Sequence, residues 1–388
     1  MASNLMVPPS IEEMASNISW LNSVLRDKVG NILSAEIESM SGAGGLNAEM
    51  NRIKLTLDDG SSTTVVCKKT GSAAGKLQQS KEMGHPREAW FYNTFADQIS
   101  DRGFSLPLTL YSFGDMTTGE KTILLEDLSY CIQSGYFYGP VSPLNFGKDL
   151  ETITKSTRGD LSLSEMTEIV ARKSFVGAAN LHSLFWRDEK LLELRWLRGQ
   201  DWVKGDGEVS WTIAQQSGRN YWEKTLLKMQ SNEFTLVNWS SLLVDCISAS
   251  FGKVSWSAYV EESITRPWTL VHGDFHPGNM MWESSGAPGE GKLYVIDWEQ
   301  VGSCFITYLN FVTNPKMNVG IGSGPQDLAQ SLISHMSPSL RRECEHRLLS
   351  EYYSVLMKDG KISSYSFEDC QRDYVDGGVG RCISKMKN

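Results

Sequence analysis

Cysteine is the first thing in short supply. Seven of the 388 residues are cysteine, at positions 67, 131, 246, 304, 344, 370 and 382, and no two form a C-x-x-C pair. An odd, dispersed set excludes a disulfide framework and a cysteine-built zinc site, and points to a reducing compartment. Positive charge is also short. There are 37 Lys+Arg against 46 Asp+Glu, a net charge of −9 with pI near 5.3, which argues against a nucleic-acid footprint. No run approaches the roughly 18 apolar residues that a membrane-spanning helix needs. The stretch Met1 to Ser10 lacks the basic start and apolar core of a secretory signal. Internal repeats and long low-complexity segments are missing as well. These absences set the expectation of a cytoplasmic protein without nucleic-acid or membrane partners. They leave its oligomeric state open.

Tryptophan, by contrast, is plentiful, at 12 residues, enough to line a pocket as well as a core. The length suffices for two lobes, each with its own core. The most informative stretch runs from Leu270 to Gln300: L-V-H-G-D-F-H-P-G-N-M-M-W, a Gly/Ser/Pro turn, then L-Y-V-I-D-W-E-Q. It reads as a strand, a polar loop, a short strand, a turn and another strand ending in a carboxylate. The loop has the form H-x-D-x-x-x-x-N, and Asp297 follows after a hairpin-length interval. Two carboxylates and a carboxamide on adjacent strand ends are what phosphoryl transfer requires. One carboxylate orients the acceptor hydroxyl, and the other two groups hold the metal that bridges the phosphates. An eight-residue motif followed by a second strand-borne aspartate is hard to explain as a plain polar loop.

These motifs resemble those of the aminoglycoside phosphotransferase and choline kinase group, which has a protein-kinase-like fold. In that group D-W-E stands where protein kinases carry D-F-G. The resemblance implies Asp274 as catalytic base, Asn279 and Asp297 as Mg2+ ligands, and ATP as phosphate donor. The phrase I-S-W-L-N-S-V-L (residues 18–25) looks like the first helix of the ecdysteroid-kinase-like (CHK kinase-like) branch. Similarity to the group runs from about residue 8 to about 375.

Toward the N-terminus, Ser10 and Glu13 form a capping-box pattern ahead of a helix carrying Met14, Ile18, Leu21 and Leu25. From Ile32 to Thr70 the period turns to strands, with Asp59-Gly60 as a hairpin turn. Gly42, Gly44 and Gly45 sit in a Gly-rich turn that lets backbone N–H groups approach phosphates. Lys68 ends the next strand and is the preferred phosphate lysine. Lys69 alternates to the other face and is the second choice. R-E-A-W-F-Y, from Arg87, resembles the family helix that supplies the lysine's partner, which makes Glu88 that partner. L-L-E-D-L resembles the family's hinge strand, so Glu126, Asp127 and Leu128 would border adenine.

The expected fold is therefore α+β and two-lobed. An antiparallel-sheet lobe occupies residues 1–130, and a larger, mainly helical catalytic and substrate-binding lobe occupies 131–388. The expected activity is ATP-dependent transfer of the γ-phosphate to a small-molecule alcohol. A protein kinase and a non-catalytic kinase-like binding protein are the rival readings. Against the first stand D-W-E, H-G-D and the lack of A-P-E; against the second stands the full set of polar catalytic positions. One departure from the family is visible: Asp327-Leu328-Ala329, which should follow D-W-E-Q closely, lies 30 residues beyond Asp297. Removing residues 301–318 restores the family-like spacing. That segment reads as an insertion, either a lid beside the acceptor site or a stretch from an unspliced message.

Overall fold

The computed structural model describes residues 7–40, 48–100, 102–103, 105–231, 240–253, 255–300 and 321–385. Two short helices open the chain, α1 (Ile11–Ser16) and α2 (Ile18–Val29). Ser10 caps the first in a reciprocal box with Glu13, and the Asn17 side chain caps the second. Each cap satisfies backbone N–H groups that a helix start leaves without partners. Met14, Trp20, Leu21 and Leu25 are then buried against an antiparallel sheet. The sheet strands are β1 (Ile32–Ser39), β2 (Ala48–Leu57), β3 (Ser62–Thr70), β4 (Thr109–Asp115) and β5 (Glu120–Glu126), in the order β1-β2-β3-β5-β4. Gly60, at φ +82°, turns β2 into β3, a conformation that glycine adopts without the steric cost other residues bear.

Between β3 and β4 lie α3 (Lys76–Met83) and α4 (Arg87–Ile99). Helix α4 is bonded to β4 at several points: Trp90 Nε1 donates to Gly114 O, Asn93 Nδ2 to Ser112 O, and Ser112 Oγ to Ala89 O. Gly114 permits the contact. A Cβ there would come within 2.7 Å of Pro86 O and 2.9 Å of Ala89 Cβ. Helix α4 is thus fixed close to the sheet.

The C-terminal part is mainly helical. After β6 (Ile132–Gln133) come α5 (Leu150–Arg158), α6 (Leu163–Leu184), α7 (Gln200–Lys204), α8 (Glu208–Gln230), α9 (Ser241–Lys253) and α10 (Trp256–Thr265). Then β7 (Thr269–Leu270), β8 (Met280–Ser284) and β9 (Gly291–Val295) carry the polar loop, and β10 (Ile321–Gly322) pairs with β7. Three helices close the chain, α11 (Gly324–His335), α12 (Pro338–Leu356) and α13 (Phe367–Lys385). This is the two-lobed α+β architecture expected from the sequence. Among the described residues no helix is long and apolar enough to cross a membrane.

Helix α11 is buried almost throughout, although it reads G-P-Q-D-L-A-Q-S-L-I-S-H. A helix with so many polar residues inside must have polar surroundings to satisfy them, and the loop His272–Asn279 supplies part of them. The two parts of the fold also meet through backbone. Ser105 N–H donates to Leu293 O (2.7 Å), and Val295 N–H donates to Ser105 O (2.9 Å), which ties the segment before β4 to β9. The segment 301–318 and the Gly42–Gly45 turn lie outside the described residues.

Candidate active site

The loop His272–Asn279 joins β7 to β8, and its shape is set by hydrogen bonds it cannot make within itself. The Asp327 carboxylate at the start of α11 accepts from the backbone N–H groups of His272 (2.8 Å) and Gly273 (3.0 Å). His272 is fully buried. Its Nδ1 accepts from Asp274 N–H (3.2 Å), so the ring proton sits on Nε2, which donates to Ile296 O (2.9 Å). Burial pulls this imidazole down to about 4, and it is therefore a neutral brace rather than a proton carrier near pH 7.

Asp274 is held on both oxygens. Gln330 Nε2 of α11 donates to Oδ1 (2.6 Å), and Asn279 Nδ2 donates to Oδ2 (3.3 Å) as well as to the Asp274 carbonyl (3.0 Å). His276 Nε2 lies 3.4 Å from Oδ2, and its ring stacks on His335 at 5.1 Å. Ile296 N–H donates to Asn279 O (2.9 Å). This bond continues the β8–β9 ladder one step, so Asp297 emerges directly beside Asn279. Asp297 has φ +66°, a left-handed backbone that costs about 1 kcal/mol or more in a non-glycine residue and tends to survive at functional sites.

Lys68 on β3 reaches across to this carboxylate. Its Nζ lies 2.5 Å from Asp297 Oδ1 and 2.8 Å from Glu88 Oε2, while Lys69 Nζ turns away to Pro9 O and Thr122 Oγ1. Strand alternation separates the two lysines. Burial works against the Lys68 ammonium, but Asp297, Glu88 and Glu299 outweigh it and raise it well above the usual lysine range. Three further residues complete the cluster, Lys121, Glu299 and His85, none of them among the expected site residues. Lys121 of β5 places Nζ 2.6 Å from Glu88 Oε2 and 3.0 Å from Glu299 Oε2, and His85 Nε2 lies 3.8 Å from Glu299 Oε1. Glu299 belongs to D-W-E, which was its only sequence signal. Lys121 had none beyond a charged residue inside an apolar strand.

Three carboxylates against two ammoniums leave one negative charge over. The Asp297 carboxyl is raised to about 6 by burial first, against Lys68, with Glu299 and Glu88 adding to the rise. That surplus is what a divalent cation would meet. Asp297 Oδ2 and Asn279 Oδ1 accept no hydrogen bond from the described residues, and hard oxygen donors of this kind suit Mg2+. The donor set fits the metal. An aromatic stack fixes the frame: Trp298 lies parallel on Phe91 of α4 (4.0 Å, 7°) and 4.5 Å from the His272 ring.

At the end of β5, Glu126 is spent on the sheet. Its N–H donates to Leu108 O, and its carboxylate accepts from Leu108 N–H and Tyr130 Oη. The Asp127 carboxylate is paired with Arg52 at 2.7 Å. Leu128 O accepts from Cys131 N–H (2.9 Å), which leaves the Asp127 backbone and Leu128 N–H as the edge a ligand could meet.

Residues 179–308 match the phosphotransferase enzyme family (APH). The matched span contains both the His272–Asn279 loop and Asp297. Among solved structures, the chain is similar to an amicoumacin kinase, hAmiN, in complex with AMP-PNP, Ca2+ and Ami. The identity is 10% and the TM-score 0.30, over 89% of this chain and 81% of that one. No curated protein matches.

Proposed function

We propose that the chain is an ATP-dependent small-molecule kinase, transferring the γ-phosphate to a hydroxyl group. The observation that carries this reading is the meeting of Lys68, Glu88 and Asp297 one strand away from the Asp274–Asn279 pair. The nucleotide lies between an N-terminal lobe of residues 1–130 and a catalytic lobe of 131–388. The backbone of Asp127 and Leu128, at the end of the Glu126 strand, borders adenine, and the Gly42, Gly44 and Gly45 turn covers the phosphates. Lys68, aimed by Glu88, meets the phosphate oxygens. Asn279 and Asp297 hold Mg2+, which when bound neutralises charge on the transferring group. Asp274 accepts the proton of the acceptor hydroxyl. Gln330 and Asn279 keep its carboxylate turned to one direction, so the geometry is in place before the acceptor arrives.

The acceptor is a small alcohol. The acidic balance of the chain and its 12 tryptophans favour a cationic or apolar one, since aromatic faces attract cations and bury rings alike. The test is incubation of the protein and Mg-ATP with a metabolite extract, read by mass spectrometry for products heavier by one phosphoryl group. A product that appears with the wild-type protein and not with Asp274→Asn supports the reading. Phosphate transfer only to a peptide mixture would replace it with a protein kinase.

A further inference from the structure

Lys121 is 1% exposed and touches two carboxylates that belong to different parts of the fold, Glu88 of α4 and Glu299 of D-W-E. A buried ammonium is costly unless it is paired, so its presence there calls for a reason. Holding α4 on the sheet is not that reason. The bonds from Trp90, Asn93 and Ser112 already do so, with Gly114 allowing the close approach.

The reason lies in the charge count. Glu88, Asp297 and Glu299 can bring one oxygen each within 4.8 Å of one another. With Lys68 and Lys121 the cluster carries one net negative charge; with Lys68 alone it would carry two. Glu88 Oε2 is shared by both ammoniums, at 2.6 Å from Lys121 and 2.8 Å from Lys68. Lys68 meets both Glu88 oxygens, at 3.0 and 2.8 Å, and also Asp297 at 2.5 Å, so it already answers two carboxylates. Without Lys121, one ammonium would answer three carboxylates, and the polyanionic phosphates would approach a doubly negative pocket.

Building on the kinase reading above, we infer that Lys121 is a positioning residue for the nucleotide. Bridging Glu88 and Glu299, it cancels one carboxylate and leaves Lys68 available to phosphate. A lysine that merely filled space would not set the cluster's preference between a bare cation and an anionic nucleotide. Lys121 does, and it does so with opposite sign for the two ligands.

The experiment compares two probes on the full chain, Mg-AMP-PNP by calorimetry and Mn2+ alone by electron paramagnetic resonance. Lys121→Met should weaken Mg-AMP-PNP by about tenfold or more and strengthen Mn2+ alone by a similar factor, as a change of one local charge implies. Adding Glu299→Gln to Lys121→Met restores the count and should recover most of the nucleotide affinity. Unchanged affinities in Lys121→Met overturn the inference. So does parallel weakening of both probes that Glu299→Gln fails to relieve, since that would mark a structural role. If Lys121→Met does not fold, Glu299→Gln alone decides: it should weaken Mn2+ and spare Mg-AMP-PNP, and unchanged Mn2+ affinity overturns the inference. A wild-type chain that binds no Mg-AMP-PNP would instead defeat the kinase reading itself.

Discussion

Asp274 and Asp297 lie a few residues from the same β8–β9 ladder, yet their surroundings assign them different work. Asp274 accepts from the Gln330 and Asn279 amides, while Asp297 sits on Lys68. Asp274→Asn should therefore lower transfer by about 10²-fold or more, the scale of a lost general base. Mg-AMP-PNP affinity should stay within about twofold, because the base acts on the acceptor. Near-normal turnover would remove Asp274 from its role. Asp297→Ala should weaken Mg-AMP-PNP as well as rate, checked by the same calorimetry. Asp327 makes a prediction about stability. Asp327→Asn replaces an acceptor oxygen with a donor facing buried N–H groups of the loop, at a cost of about 1–3 kcal/mol in urea unfolding.

Among the elements, D-W-E and α4 act as one body through the Phe91–Trp298 stack. Trp298 is fully buried, so Trp298→Ala should cost about 3–5 kcal/mol. Nucleotide affinity should fall with it, since Glu88 and Asp297 lose their common frame. An unfolding curve and a binding isotherm on one sample test both. Helix α6 offers a second probe. Its His182 is buried, and Nδ1 lies 2.9 Å from Tyr352 Oη of α12. Burial lowers this imidazole from 6.5 to about 3. Below pH 6.5 the unfolded chain binds the proton and the folded chain does not. The stability due to neutral His182 is thus full above pH 6.5 and is lost as pH falls toward 3. His182→Gln should flatten stability against pH in that window by up to about 1.4 kcal/mol per pH unit. An unchanged slope between pH 6.5 and 4 would show that His182 is already protonated when folded.

Among the described residues the larger core runs from Phe91 and Ile99 through Leu270 and Trp298 to Ile321, Leu328 and Tyr374. Strand β10 already pairs with β7, and Asp327 of α11 already bonds the His272–Asn279 loop. Deletion of 301–318 should therefore yield a folded protein that still binds Mg-AMP-PNP. Calorimetric melting and the binding isotherm check this; failure to fold would show that the segment belongs to the core.

The neighbours of the polar loop were legible because their information is local. H-x-D-x-x-x-x-N and D-W-E are short words on adjacent strands, and strand alternation alone turns Lys68 and Lys69 to opposite faces. The capping boxes at Ser10 and the β2–β3 turn at Gly60 are local in the same way. Lys121 and Gln330 were not legible as site residues. Their partners lie far along the chain, 178 residues from Lys121 to Glu299 and 56 from Asp274 to Gln330, and one sequence carries no rule for pairing them. Only packing α4 onto the sheet and burying α11 behind the loop brings those charges together. Once buried, a charge or amide must find a partner or destabilise the fold. The sequence alone thus determined which polar groups converge, Lys68, Glu88 and Asp297 beside Asp274 and Asn279, and the tertiary structure decided which groups hold them in place.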